Sequence, residues 1–279
     1  MTAMTIVEPA PAKINLALHV RRRRADGYHD LETLFAFAVD GDVVTIAKAD
    51  RASFRITGPF AGQLAVDTGD NLVERAAAAF GDALGIDAAH AIILEKNLPI
   101  ASGIGGGSAD AAATLRALAR LHGVEPQDDR LFAIAAGLGA DVPACLLGRT
   151  ALGTGKGDAL APLDGLAGTP LLLVNPLVPV STARVFAGWD GLDRGGLLES
   201  DLRAQVKAGR NDLERSAIGI APVIADVRTS LDSAPGMLVA RMSGSGATCF
   251  ALFADVAARD AAARGARAKG WWTLASVLA

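Results

Sequence analysis

Leu98-Pro99-Ile100-Ala101-Ser102-Gly103-Ile104-Gly105-Gly106-Gly107-Ser108-Ala109-Asp110 runs straight into residues 111–122, and its reading decides the fold. Ahead of it, Ala91-Ile92-Ile93-Leu94 reads as a strand. Pro99 ends that ladder because proline has no N–H to give. After the glycines the pattern turns helical, with Ala112, Leu115, Leu118 and Ala119 at helical spacing. Ser108 is the expected N-cap, and Gly123 the expected residue just past the last turn. A loop poor in side chains that feeds a helix N-terminus leaves backbone N–H groups open to close approach. The helix end adds unpaired donors and partial positive charge. This is a layout for phosphate oxygens, with a plain tight turn as the alternative.

Two other glycine signatures fail on this stretch. The dinucleotide fingerprint needs a glycine three residues after Gly105, where Ser108 stands. The Walker sequence needs Gly-Lys before Ser or Thr, and Gly155-Lys156 is followed by Gly157. Asp110 resists a simple anion site. In the first turn of the helix its charge would repel a phosphate, so it must point away or share a metal ion with the phosphate.

At 279 residues the chain is long enough for two domains with sizeable cores. With 51% hydrophobic and 20% charged residues, disorder is excluded. A net charge of −3 argues against a duplex-DNA binder. Cys145 and Cys249 lie in apolar surroundings with no CxxC pairing, and read as buried thiols of a reducing compartment. His19, His29, His90 and His122 are scattered without metal-ligand spacing. No stretch reaches bilayer-spanning length, and residues 1–11 lack the basic start and apolar core of a signal peptide. The expectation is a cytoplasmic protein without nucleic-acid or membrane partners.

Along residues 12–20, Ile14, Leu16, Leu18 and Val20 share one strand face, and Lys13, Asn15, Ala17 and His19 the other. The polar face is either solvated or lines a cleft. Arg21 to Arg24 lead into Ala25-Asp26-Gly27, a turn signal, so the arginines are expected in a loop. Residues 31–39, 43–46 and 53–56 read as short strands, and residues 71–84 and 128–138 as helices. In Ala140-Asp141-Val142-Pro143, Pro143 should hold Val142 extended and display Asp141 on a turn before a Cys145-Leu146-Leu147 strand. Asp141 is there either as a turn former or as an exposed carboxylate. The second half alternates strands (171–174, 249–253, 272–277) with helices (from Ser181-Thr182, from Asn211, 223–231, 256–268). It has its own small-residue turn at Ser243-Gly244-Ser245-Gly246-Ala247.

Three separated motifs line up with one family. They are Pro11-Ala12-Lys13-Ile14-Asn15-Leu16 with Ala25-Asp26-Gly27-Tyr28-His29, then residues 99–112, then Met242-Ser243-Gly244-Ser245-Gly246-Ala247. The chain resembles the GHMP kinase superfamily over nearly its whole length. The first motif and Leu138-Gly139-Ala140-Asp141-Val142-Pro143 narrow the resemblance to members that phosphorylate a cytidine diphosphate-linked methylerythritol in the non-mevalonate route to isoprenoids. The resemblance implies an α+β fold. A ribosomal S5 domain-2-like ATP-binding domain, residues 1–160, would be followed by a ferredoxin-like domain, residues 161–279, with the active site between them.

The resemblance also implies residue roles. Pro99, Ile100, Ala101, Ser102, Gly103, Ile104, Gly105, Gly106, Gly107, Ser108 and Ala109 would wrap the ATP phosphates, with Asn71, Leu72 and Lys96 near the nucleotide. Asp141 would be the catalytic base and Lys13 its partner. Asn15, Tyr28 and His29 would hold the cytidine substrate, and Thr182 and Phe186 would meet it from the second domain, Phe186 sandwiching cytosine against Tyr28. Gly244, Ser245 and Gly246 would close on the phosphates. The family often has Asn where Asp110 stands, and residues 188–201 match nothing in its pattern.

Phosphoryl transfer needs positioning and charge neutralisation more than covalent work. The glycine loop supplies the first and Lys13 the second. A carboxylate within hydrogen-bond reach takes the proton of the acceptor hydroxyl. A Mg²⁺ on the phosphate oxygens is expected with ATP, with Ser108 and Asp110 as candidate ligands. Another GHMP member, such as a homoserine, mevalonate or sugar kinase, is the nearest rival, and Tyr28-His29 speaks against it because those acceptors have no base to stack. A nucleotide-binding regulator without catalysis is the other, and Lys13 with Asp141 speaks against that. The expected assembly is a monomer or weak homodimer.

Overall fold

The computed structural model describes residues 4–64 and 71–279. The chain forms two compact units, neither of them one continuous segment. Unit one takes in the chain up to Ala12, then Asp40–Ile100 and Gly105–Gly148. Unit two takes in Lys13–Val39, Ala101–Ile104 and Arg149–Ala279. Two long strands, β1 (Thr5–Arg23) and β2 (His29–Lys48), run through both and pair with each other. The arginine run is therefore mostly strand and not loop. Arg21, Arg22 and Arg23 finish β1, and only residues 24–28 turn, closed by Arg24 N donating to Tyr28 O at 2.8 Å. The strand tolerates the cations because acids of the same hairpin answer them, with Arg21 on Glu32 and Arg22 and Arg24 on Asp30.

In unit one the far half of β2 pairs antiparallel with β4 (His90–Glu95), and β3 (Ser53–Thr57) runs parallel to β4. Helices α1 (Leu72–Leu84), α2 (Gly106–His122), α3 (Asp129–Leu138) and α4 (Val142–Leu147) complete it. Asn71 caps α1, its side chain accepting from Val73 N at 2.9 Å. Helix α2 is buried on nearly every side, from Ala109 to Leu115 without a break and again at Ala117, Leu118, Ala119 and Leu121. Its small side chains are what let neighbours approach so closely. Residues 145–147 are helical rather than strand, and Val142 opens that helix instead of standing extended. Pro143 falls in the first turn, where a missing N–H costs nothing, so it starts α4 instead of holding off a helix.

In unit two the near half of β2 pairs antiparallel with β5 (Ala151–Gly155), which pairs with β6 (Ala159–Pro162). A second sheet has the order β10 (Trp272–Val277), β7 (Pro170–Asn175), β9 (Cys249–Phe253), β8 (Met237–Met242), all antiparallel. With α8 (Val223–Asp232) after β7 and α9 (Val256–Ala268) after β9, this is the β-α-β-β-α-β ferredoxin-like arrangement. Between β7 and α8 lie α5 (Thr182–Ala187), α6 (Leu202–Ala208) and α7 (Glu214–Ile220). Ser181 caps α5 as the sequence predicts, and Asp201 caps α6 through Ala204 N. The unit's core joins Leu172, Val174, Ile224, Val227 and Phe253 to Leu18 and Val20 of β1.

Cys145 and Cys249 are both buried and form no disulfide. Two histidines far apart in sequence meet in unit one, with His90 Nε2 and His122 Nε2 2.9 Å apart. One imidazole donates and the other accepts, so at least one ring must stay neutral. Burial lowers the pKa of each. The facing His122 and then Lys48 lower His90 further, and Lys48 lowers His122. The unfolded chain therefore takes up protons that the fold refuses, and stability falls as pH drops below the ordinary histidine value of about 6.5. The unfolding temperature should fall by a few degrees between about pH 7.5 and about pH 5.5. A His90→Gln/His122→Gln variant should lose a clear part of that slope. An unchanged slope by thermal melting would remove the pair as its source.

Candidate active site

The glycine loop departs from the sequence reading at its exit. Gly105 and not Ser108 is the N-cap of α2, in the left-handed conformation at φ 64°, and the helix begins at Gly106. Three consecutive glycines permit this earlier start, since Gly105 alone carries the left-handed turn. No side chain caps the helix. Its first N–H groups are thus not occupied by a capping oxygen, as an anion-binding end requires. Upstream, Ala101 (φ 51°) and Gly103 (φ 77°) are also left-handed. Residues of this kind let successive amides turn toward one anion.

Asp110 answers its own puzzle. With α2 starting at Gly106 it lies in the second turn, 3% exposed, and its Oδ2 accepts from Lys96 Nζ at 2.6 Å. Lys96 is as buried and also donates to Asp42 Oδ2. Asp42 Oδ1 accepts the backbone N–H groups of Asn97 at 2.5 Å and Leu98 at 2.8 Å. Burial pushes the Asp110 carboxyl up to about 8 against the pull of Lys96, and the Asp42 charge adds to the push. One ammonium and two carboxyls therefore make a nearly neutral knot, which hides the charge of Asp110 from the loop. The same ammonium makes Asp110 a poor ligand for Mg²⁺, which leaves Ser108 of the two candidates. No group of three or more acids, histidines or cysteines gathers for a metal among the described residues. Lys96 itself does not present a free ammonium to a nucleotide.

In unit two both faces of β1 are buried. Lys13, Asn15 and His19 are each 2% exposed, which excludes the solvated-face reading. Lys13 Nζ donates to Asn15 Oδ1 at 2.9 Å and lies 5.4 Å from the centre of the Phe35 ring. Asn15 Nδ2 donates to Thr33 Oγ1 at 2.8 Å, and that hydroxyl donates to Ala17 O at 2.7 Å. Asn15 N donates to Ser243 Oγ at 3.1 Å, and Ser243 Oγ to Gly103 O at 3.1 Å. The two glycine segments thus meet directly. A Cβ on Gly103 would lie 2.6 Å from Ser243 O and 2.7 Å from Gly246 O. Thr182 Oγ1 and Ser245 Oγ are 2.9 Å apart.

His29 packs against Phe186 (ring centres 5.0 Å apart) and edge-on against Trp189 (5.7 Å). Burial and then the Arg23 charge lower its pKa. His29 Nε2 and Trp189 Nε1 are buried without a hydrogen-bond partner among the described residues. Tyr28 is 54% exposed, with Lys156 Nζ 5.0 Å from its ring centre. Asp141 precedes α4 as its N-cap, half-buried, and its carboxylate is not used to cap the helix.

The family models of the GHMP kinases N terminal domain and GHMP kinases C terminal match residues 71–149 and 195–270. A 4-diphosphocytidyl-2-C-methyl-D-erythritol kinase of Rhizorhabdus wittichii is 55% identical, with 99% of this chain and 96% of that protein covered. The chain belongs to this kinase family. Its Sphingopyxis alaskensis member is 51% identical, with 98% of this chain and 99% of that protein covered. A crystal structure of 4-(cytidine 5'-diphospho)-2C-methyl-D-erythritol kinase superposes with a TM-score of 0.83 at 36% identity, covering 99% of both chains. A homoserine kinase from Cytophaga hutchinsonii, TM-score 0.73 at 21% identity, shares the fold; 98% of this chain and 94% of that one are covered.

In this kinase the sequence reading missed Asp42, Trp189 and Asn211. Asn211 Nδ2 donates to Met242 O and Gly244 O, both at 2.8 Å, holding the second glycine turn. Asn211 read as a helix start, and only the fold shows that its amide reaches more than 30 residues ahead. Trp189 lay in a stretch that matched no pattern. Asp42 follows Asp40-Gly41 and reads as part of a turn between two strands.

Gly103→Ala forces both a left-handed alanine and a backbone collision. It should lower kcat/KM for ATP by about 10²-fold or more, the scale of a displaced binding group. Gly107→Ala, whose Cβ would meet only the Leu72 side chain at 3.6 Å, should be much milder. Steady-state kinetics of the two variants checks the contrast.

Proposed function

We propose that this chain transfers the terminal phosphoryl group of ATP, brought as its magnesium complex, to the 2-hydroxyl of 4-diphosphocytidyl-2-C-methyl-D-erythritol in the non-mevalonate isoprenoid pathway. The observation that carries the reading is the polar face of β1. A lysine and an asparagine are sunk to 2% exposure on a strand whose opposite face is apolar, and the asparagine is tied through Ser243 to the glycine loop. A buried ammonium is tolerated where hydrogen bonds or opposite charge meet it, and a transferred phosphate would bring such charge. Full-length likeness to relatives bearing the kinase name supports the acceptor.

In this reading the loop of residues 99–109 holds the triphosphate, through the amides that follow Pro99, with Asn71 and Leu72 beside the nucleotide. Lys13 steadies the charge that builds on the transferred group. Asp141 takes the proton of the acceptor hydroxyl as it attacks phosphorus. Asn15 and His29 hold the cytidine end. His29 Nε2, buried without a hydrogen-bond partner among the described residues, is available to the base. Phe186 and Tyr28 supply ring faces, and Thr182, Gly244, Ser245 and Gly246 approach the phosphates. The functional division falls near residue 160, on either side of which the two family matches lie. The protein works as a cytoplasmic monomer or weak homodimer.

Asp141→Asn should cut kcat by several orders of magnitude while ATP still binds; turnover near that of the wild type would remove Asp141 as the base. Tyr28→Ala should raise KM for the cytidine acceptor about tenfold, since stacking contributes about 1–3 kcal/mol per base, and leave KM for ATP unchanged. ADP release measured with this acceptor and with homoserine, mevalonate and a hexose decides the substrate. Release with one of the others and none with the cytidine compound would refute the proposal.

A further inference from the structure

We propose that Asp42 and Lys96 are positioning residues for ATP: with Asp110 they form a buried clamp that fixes both ends of the glycine loop to one point. The proposal rests on the reading of that loop as the ATP phosphate site. The entry end is held by Asp42, whose Oδ1 accepts the last two backbone N–H groups before Pro99. The exit end is held by Lys96, whose Nζ lies between Asp42 Oδ2 and Asp110 Oδ2 of helix α2. Because one Asp42 carboxylate serves the entry amides and the ammonium together, moving either end of the loop breaks the other's bond.

The three groups are sealed. Lys96 and Asp110 are 3% exposed and Asp42 1%. The middle of the loop is held separately, by Ile104, fully buried, and by Ser243 Oγ on Gly103 O, so the clamp sets where the loop enters and leaves. The clamp also explains Gly106. A Cβ there would lie 3.0 Å from Lys96 Nζ and 3.6 Å from Asp42 Oδ2. The first helical residue therefore sits directly over the ammonium, and the side chain it lacks is the space that the clamp fills. Lys96 acts on the nucleotide through the loop and not by direct contact. Replacing one member leaves a buried charge without its counter-charge, a heavier fault than replacing two.

The test compares Asp42→Asn, Lys96→Met and Lys96→Met/Asp42→Asn by steady-state kinetics, with amide hydrogen exchange across residues 97–110 of the whole chain. Asp42→Asn keeps an oxygen for the entry amides and removes the negative charge that faces Lys96. It should raise KM for ATP about tenfold, leave KM for the cytidine acceptor within about twofold, and speed exchange selectively over residues 97–110. Lys96→Met should do worse, and adding Asp42→Asn should recover about tenfold by removing the stranded charge. Should Lys96→Met fail to fold, Asp42→Asn decides alone. An unchanged KM for ATP with unchanged exchange overturns the clamp, as does a uniform rise in exchange with equal changes in both KM values. If the wild type transfers no phosphoryl group, the proposed function falls, and the exchange pattern alone judges the clamp.

Discussion

An ammonium cut off from water must find its counter-charge inside the protein, and in unit one that requirement brings three segments together. Lys96 ends the β4 edge of the glycine loop, Asp42 comes from β2, and Asp110 from the helix that the loop feeds. A buried pair of opposite charges contributes little net stability because desolvation offsets attraction. Its value lies in geometry, since few arrangements bring three such groups within hydrogen-bond reach at once. A loop made of glycine has no comparable preference of its own. The charged knot supplies the uniqueness that the loop's composition lacks.

In unit two the same need for uniqueness is met by hydrogen bonds. The β1 polar face, Thr33, Ser243 and the carbonyl of Gly103 form one connected path, every step of it at ordinary hydrogen-bond length. Gly103 approaches the second glycine turn so closely that backbone meets backbone. Asn211 holds that turn from its other side through two carbonyls. Arg241, 7% exposed, adds bonds to Leu16 O and Val206 O. Burial together with the Arg228 charge lowers its pKa to about 10, so it remains a cation at neutral pH. Side chains of ordinary type thus immobilise two segments that have almost none.

Local chemistry made much of this legible in the sequence. Asn71 and Ser181 announced α1 and α5 because capping is decided within three residues. The strand, glycine and helix order of the loop was plain for the same reason. What escaped depends on distance along the chain. The partners of Lys96 lie 54 and 14 residues away, so its burial could not be read from its neighbours. The polar face of β1 alternated like a solvated edge, and only the partners it meets in the fold, Thr33 of the paired strand and Ser243, show that it is inside. Pro143 illustrates the opposite failure. The rule that proline excludes a helix before it was applied where the proline stands in the helix's own first turn.

Helix α2 carries a further consequence. Its flanks are filled mainly by methyl groups, and hardly any of its middle reaches solvent. A rod packed that tightly has no slack to tilt or slide, so the cradle at its tip inherits the stiffness of the surrounding interior. The shape of that tip is therefore set partly by residues that never come near it. Enlarging one of those alanines by a single carbon would be felt at the rod's end as well as in its middle.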